Sequence, residues 1–337
     1  MNAAITYCHA HKYVFLICLV SFSVITRAAG VREILIPPDS NGPQISARLW
    51  TPCAVAPKPI TVDRGSTQLT IKAVKDCAPL GKGLPLILVS HGLFGDVFDH
   101  YDTAAFLANS GFAVVTLDHT MDSLATIKDN SQDDIASFLV RTVDVSRVLD
   151  FLLSSSQSVV DIDPERIGFF GWSRGGYTGL VLAGAVPSFH YPLAIPCPDN
   201  LLMCRQIRDG NIPKQGPGYE PRIKAFVIAD PVNLFPDKAS LQKVVAPIQL
   251  WSSERGGMGV RPEDVVLIAK NLPHTPEFHR PANSGHFAFF FPCSEELAKT
   301  DPFECNDPTG FDRAVFHRKF NAQVLEFLRM KLLRQER

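Results

Sequence analysis

Gly171-Trp172-Ser173-Arg174-Gly175 fits the pattern G-x-S-x-G. Patterns of five residues recur by chance, so the weight rests on the flanks. The apolar run Ile167–Gly171 reads as a buried strand, and the small-residue stretch 175–184 as a helix. A serine on the sharp turn between them has its hydroxyl lifted above the sheet, beside a helix N-terminus that favours negative charge. Glycines on either side permit the close backbone approach such a turn needs. A serine hydroxyl is a poor nucleophile near neutral pH. It needs a general base, and the base needs an orienting acid. The chemistry expected of this constellation is acyl transfer through a covalent intermediate.

On a strand–turn–helix scaffold of this kind the three groups follow the chain order Ser, acid, His. That order sets aside His91, His100 and His119 as the base. His190 falls in a proline-rich interruption, His274 in a proline-flanked turn, His279 in a strand and His317 on the terminal helix. His286, in Ser284-Gly285-His286-Phe287, follows the last short strand on a loop able to bend back over the sheet edge, and is the expected base. The acid should stand just past a strand end. Asp230 directly follows the run 225–229 and is the expected acid. Glu254, two serines beyond the run 248–251, is the alternative, and Asp264 lies further along at a helix start. A tetrahedral intermediate also needs preorganised donors for its oxyanion. The glycine-bearing turn His91-Gly92-Leu93-Phe94-Gly95 points to the backbone N–H of Leu93, paired with that of Arg174 after the nucleophile.

These residues need a frame that brings distant segments to one edge. After residue 80, strand and helix patterns alternate. Leu84–Ser90 and Phe112–Leu117 are continuous apolar runs, as in strands buried on both faces. Tyr101–Ser110 reads as a helix, and residues 135–152 have helical periodicity. Short strands are expected at 225–229, 248–251 and 278–281, with helices at 264–272 and from Phe316 onward. Alternation of this kind predicts an α/β fold with a mainly parallel central sheet flanked by helices. Before residue 80 the pattern is of antiparallel strands at 33–36, 44–50 and 68–74. The stretch 187–221 interrupts the alternation and reads as an insertion over one end of the sheet, a lid or pocket wall.

Tyr13–Ile25 is almost wholly apolar, follows Lys12, and leads to the small residues Ala28, Ala29 and Gly30. That is the pattern of a secretory signal, too short for a membrane-spanning helix. Residues 1–29 are therefore expected to be cleaved, leaving 30–337 as one domain, secreted or periplasmic, with no stable membrane span. Cleavage takes Cys8 and Cys18 and leaves six of the eight cysteines, an even number that suggests disulfides in an exported chain. Proximity in sequence suggests Cys53–Cys77, Cys197–Cys204 and Cys293–Cys305. No cysteine spacing matches a zinc site. Lys+Arg 33 against Asp+Glu 34 leaves a net charge of −1, which lacks the basic surface of a nucleic-acid binder.

Four segments, 90–95, 163–180, 225–231 and 284–293, together resemble the α/β-hydrolase superfamily. Within it they resemble the exported bacterial branch of serine-type dienelactone hydrolase-like proteins, which is similar to the platelet-activating factor acetylhydrolases. The resemblance spans roughly residues 45–330. It implies a carboxylic-ester hydrolase without metal or organic cofactor, with Ser173 as nucleophile, His286 as base, and Leu93 and Arg174 as oxyanion donors. Acetylhydrolases of this kind keep their acid after the strand that here ends at Ala229, which favours Asp230. Many hydrolases of the superfamily keep an Asp after the next strand, where this chain reads SSERGGMGV and offers only Glu254. The string G-W-S-x-G-G (171–176) is shared with secreted polyester hydrolases. The expected substrate is a small-molecule or lipid ester carrying a short acyl group, with acetylated phospholipids included. A lipase or polyester hydrolase using the same residues is the alternative enzyme. A silent hydrolase fold used for binding is the alternative from another class, and acyl transfer to an acceptor other than water stays open.

Overall fold

The computed structural model describes residues 28–65, 67–129, 134–154, 160–190, 202–213 and 218–333. Of the expected signal, residues 1–27 lie outside the described residues; its last two, Ala28 and Ala29, are described and begin the first strand. Among the described residues ten strands form one sheet: β1 (Ala28–Ile36), β2 (Ile45–Cys53), β3 (Lys58–Arg64), β4 (Thr67–Lys75), β5 (Leu84–Ser90), β6 (Ala113–Leu117), β7 (Ile162–Trp172), β8 (Ile223–Ala229), β9 (Ile248–Trp251) and β10 (Glu277–His279). Their order is β10-β9-β8-β7-β5-β6-β2-β1-β4-β3. From β10 to β6 every neighbouring pair is parallel. β2 pairs antiparallel with both β6 and β1, and β3 with β4.

The helices are α1 (Tyr101–Asn109), α2 (Ile135–Leu153), α3 (Arg174–Leu182), α4 (Leu202–Asp209), α5 (Lys238–Leu241), α6 (Pro262–Asn271), α7 (Glu295–Thr300), α8 (Pro302–Cys305) and α9 (Arg313–Leu332). Asp134 caps α2 by accepting from Ala136 N, and Asp312 caps α9 by accepting from Val315 N. The apolar runs of the central strands divide between two cores, one on each face. Leu86 and Leu88 of β5 and Phe169 of β7 pack on the α2–α3–α6 side. Ile87 and Val89 of β5 and Phe170 of β7 pack on the α1–α9 side, against Phe320, Val324 and Leu328. Alternate side chains of one strand feed opposite layers, so continuous hydrophobicity is what the position demands.

β3 has no counterpart among the expected strands. It starts at Lys58-Pro59, alternates exposed and half-buried residues, and lies at the sheet edge, where solvent covers one face. Its mixed polarity hides it from a reading based on apolar runs. Cys53–Cys77 and Cys293–Cys305 are disulfides, with Cα atoms 6.1 and 5.7 Å apart. Cys204 is also disulfide-bonded, and its expected partner Cys197 lies outside the described residues. So do 191–201 and 214–217 of the expected insertion; α4 is its described helical part.

Candidate active site

β7 runs into α3 with one residue between them, Ser173. Its backbone sits at φ 58° and ψ −117°, a region that disfavours side chains. Two glycines make the turn possible. A Cβ on Gly175 would stand 1.9 Å from Ser90 O, and one on Gly171 would stand 2.1 Å from Gly175 O. The turn is pinned from its neighbours: Ser173 N–H donates to Ala229 O (3.0 Å), and Val232 N–H donates to Ser173 O (3.1 Å). Ser173 lines a cavity of about 190 Å³. The residue remains only 7% exposed.

His286 lines the same cavity. It opens a 3-10 turn (His286–Phe289), its N–H donates to Gly256 O (2.9 Å), and its carbonyl accepts from Trp172 Nε1 (3.1 Å). Its ring packs 4.8 Å from the Trp172 indole. Nδ1 lies 3.0 Å from Asp230 Oδ2. Because an ionised carboxylate can only accept, that bond places the ring proton on Nδ1 and leaves the Nε2 lone pair free for a proton. No hydrogen bond joins Ser173 Oγ to the ring among the described residues. In sites without substrate this contact is commonly long.

Asp230 stands one residue past β8, fully buried. Its carboxylate also accepts from Ser253 N–H (2.6 Å) and Ser253 Oγ (2.5 Å). Ser253 was not singled out by the sequence; its only signal is its place just past β9. Of the alternative acids, Glu254 is exposed and accepts from Asn283 N–H (2.6 Å). Asp264 pairs with Arg261 (2.8 Å) at the start of α6. Neither holds the imidazole.

Leu93 and Arg174 border the cavity beside Ser173. The turn carrying Leu93 is held on one side by Phe94 N–H, which donates to Asp122 O (3.0 Å). Leu93 N–H itself has no acceptor among the described residues. The Arg174 N–H belongs to the first turn of α3, whose N–H groups point out of the helix. Phe138 from α2, Phe287 and Phe303 give the cavity an apolar wall that motif reading missed; Met203 from α4, within the stretch 187–221 read as a lid or pocket wall, also lines it. Asp99 and Glu304 form an acidic side. Burial, reinforced by Asp96 and Glu304 against Arg64, pushes the Asp99 carboxyl well above its usual range. Among the described residues, no cluster of three His, Cys, Asp or Glu side chains is arranged to hold a metal ion.

No protein-family model matches the chain, and no curated protein matches it. The chain is similar in structure to a ferulic acid esterase from Streptomyces cinnamoneus. The TM-score is 0.62 and the identity 17%, over 92% of this chain and 91% of that one. At that identity the likeness is one of architecture, and it shows that the chain has the α/β-hydrolase fold.

Proposed function

We propose that the protein is a serine hydrolase of carboxylic esters, working through an acyl-enzyme with Ser173, His286 and Asp230. The observation that carries this reading is the meeting, in one cavity, of a serine on a strained strand–helix turn with an imidazole already bonded to a buried carboxylate. In the first step His286 Nε2 takes the Ser173 proton as Oγ bonds to the ester carbonyl carbon. The carbonyl oxygen becomes an oxyanion received by the N–H groups of Leu93 and Arg174. The intermediate collapses, the C–O bond to the alcohol breaks, and the imidazolium gives its proton to the departing alkoxide. Water then attacks the acyl-serine, losing its proton to His286. Collapse of the second intermediate releases the acid and returns the proton to Ser173.

The substrates proposed are short acyl esters, acetylated phospholipids among them, on the strength of the sequence resemblance and the modest cavity. The proposed location is outside the cytoplasm. The N-terminal apolar segment and the disulfides Cys53–Cys77 and Cys293–Cys305 support this. No described helix is long and apolar enough to cross a membrane. A second reading, a hydrolase of longer acyl chains or polyesters, draws on two side chains at the cavity: Phe303 is 63% and Met258 55% exposed. Both would suit an apolar chain leaving the site.

The test is a rate profile over p-nitrophenyl esters of rising chain length, with methyl ferulate added because the structural neighbour is a ferulic acid esterase. A maximum at acetate or butyrate supports the first reading, and a maximum at long chains the second. Absence of turnover on every ester overturns both.

A further inference from the structure

Behind the turn that carries Leu93 lies a buried cluster that the reaction above does not use. Its centre is Arg141 on α2, which is 0% exposed. Each nitrogen of its guanidinium is engaged. Nε donates to Thr178 Oγ1 (2.9 Å), Nη1 to both Asp122 oxygens (2.6 Å each), and Nη2 to Ser90 Oγ (3.2 Å) and the His91 carbonyl. A buried cation is costly unless fully paired, so such complete engagement marks a built site rather than a stray side chain.

The partners are the segments that carry the two oxyanion donors. The His91 carbonyl lies two residues before Leu93. The Asp122 carbonyl takes the N–H of Phe94, one residue after it (3.0 Å). On the other side, Thr178 Oγ1 donates to Arg174 O (2.9 Å), and Arg174 Nη1 reaches the Asp122 carboxylate (3.2 Å). One guanidinium–carboxylate pair therefore grips both halves of the hole.

The surroundings hold the Asp122 carboxylate in its charged form. Burial alone would raise the Asp122 carboxyl, but Arg141 and Arg174 outweigh it and hold it down at about 2. Burial, with Arg141 adding to it, pushes His91 and His119 well below their ordinary value, so both rings are neutral. Asp122 thus stays ionised beside Arg141 across the pH range in which an imidazole base can work.

We infer that Arg141 is a positioning residue for the oxyanion hole. It fixes the Leu93 and Arg174 N–H groups relative to Ser173. The inference rests on the serine-hydrolase reading. An interaction that gains strength only as the oxyanion forms changes kcat and spares KM.

The experiment compares full-length wild type with Arg141→Met and Arg141→Lys on p-nitrophenyl acetate, counting active sites by exhaustive fluorophosphonate labelling. Arg141→Met is expected to lose on the order of 10²-fold in kcat per labelled site, with KM changed less than about 3-fold. Its affinity for phenylboronic acid, which mimics the tetrahedral intermediate, should fall by a similar factor. Arg141→Lys keeps the charge but loses the fork, and should fall between the two. A purely structural brace would lower Tm and leave kcat per labelled site unchanged, and that result overturns the inference. Should Arg141→Met not fold, Thr178→Val removes one bond to the guanidinium with little change of shape. It is expected to lower kcat on the order of 10-fold at constant KM, and an unchanged kcat overturns the inference. Wild type that neither turns over nor takes the label overturns the hydrolase reading itself. Labelled, active wild type with indifferent variants overturns this inference alone.

Discussion

Two series of serine, histidine and aspartate stand out among the described residues, and they differ in everything except residue type. Ser173 and His286 line one cavity, and His286 Nδ1 is bonded to Asp230 at 3.0 Å. Within the fold, Ser90 Oγ lies 2.8 Å from His119 Nε2, and His119 Nδ1 lies 3.3 Å from Asp144 Oδ2. By hydrogen bonds alone the second set is the better closed. Yet Ser90, His119 and Asp144 are all fully buried. Ser90 also ends an ordinary strand and accepts from Arg141. At 0% exposure Ser90 is closed to a substrate carbonyl. Reactivity follows from access, backbone strain and preorganised donors, and the three residue types do not supply these by themselves.

The largest contrast should appear on replacing each serine. Ser173→Ala is expected to lose at least about 10⁴-fold in kcat on p-nitrophenyl acetate. Ser90→Ala should lose less than about 10-fold, while urea titration shows a loss of about 1–3 kcal/mol from unpairing Arg141 and His119. Comparable activity losses in the two would erase the distinction. The acids come next. Asp230→Asn, which would disturb the ring tautomer, is expected to cost on the order of 10³- to 10⁴-fold in kcat. Asp144→Asn should retain activity within about 10-fold.

The same pair separates by pH. Burial holds the Asp144 carboxyl up at about 7, against 3.8 for a free aspartate. The folded state therefore keeps a proton that the unfolded chain releases, and stability from this group falls as pH rises from about 4 to 7. A carboxamide at this position cannot ionise, so the Asp144→Asn variant should gain on wild type as pH rises. Between pH 5 and pH 8 the gain is at most about 3 kcal/mol, read from urea midpoints at those two values. A stability difference that stays constant across that range contradicts the assignment. The smallest effect is expected at Glu254. Glu254→Gln should leave kcat within about 2-fold, since its carboxylate meets Asn283 N–H rather than the imidazole. A collapse there would move the acid from Asp230.

Legibility in the sequence tracks the distance over which a feature is determined. The turn at Ser173 is local: apolar strand, two glycines and a small-residue helix lie within twenty residues, and the close approach of Gly175 to Ser90 O shows why no larger residue fits. His286 could be reached by chain order. Between Asp230 and Glu254 the residues left the choice open, because it turns on which carboxylate the loop after β10 bends toward. Ser253, bonded to Asp230 at 2.5 Å, carries no pattern of its own. Arg141 is harder still. In the sequence it is one charged residue in an amphipathic helix, and its partners at positions 90, 91, 122 and 178 meet only once the sheet is built. The edge strand β3 escaped for the opposite reason, since exposure of one face removes the apolar run that marks its neighbours.

The most direct measurement is the site of covalent labelling. Full-length protein is treated with a fluorophosphonate and digested, and the modified serine is located by mass spectrometry. The expected result is one equivalent on Ser173 and none on Ser90, with the label lost in Ser173→Ala. Modification of another serine in the intact protein, or an unlabelled Ser173 after complete inactivation, would contradict the central claim.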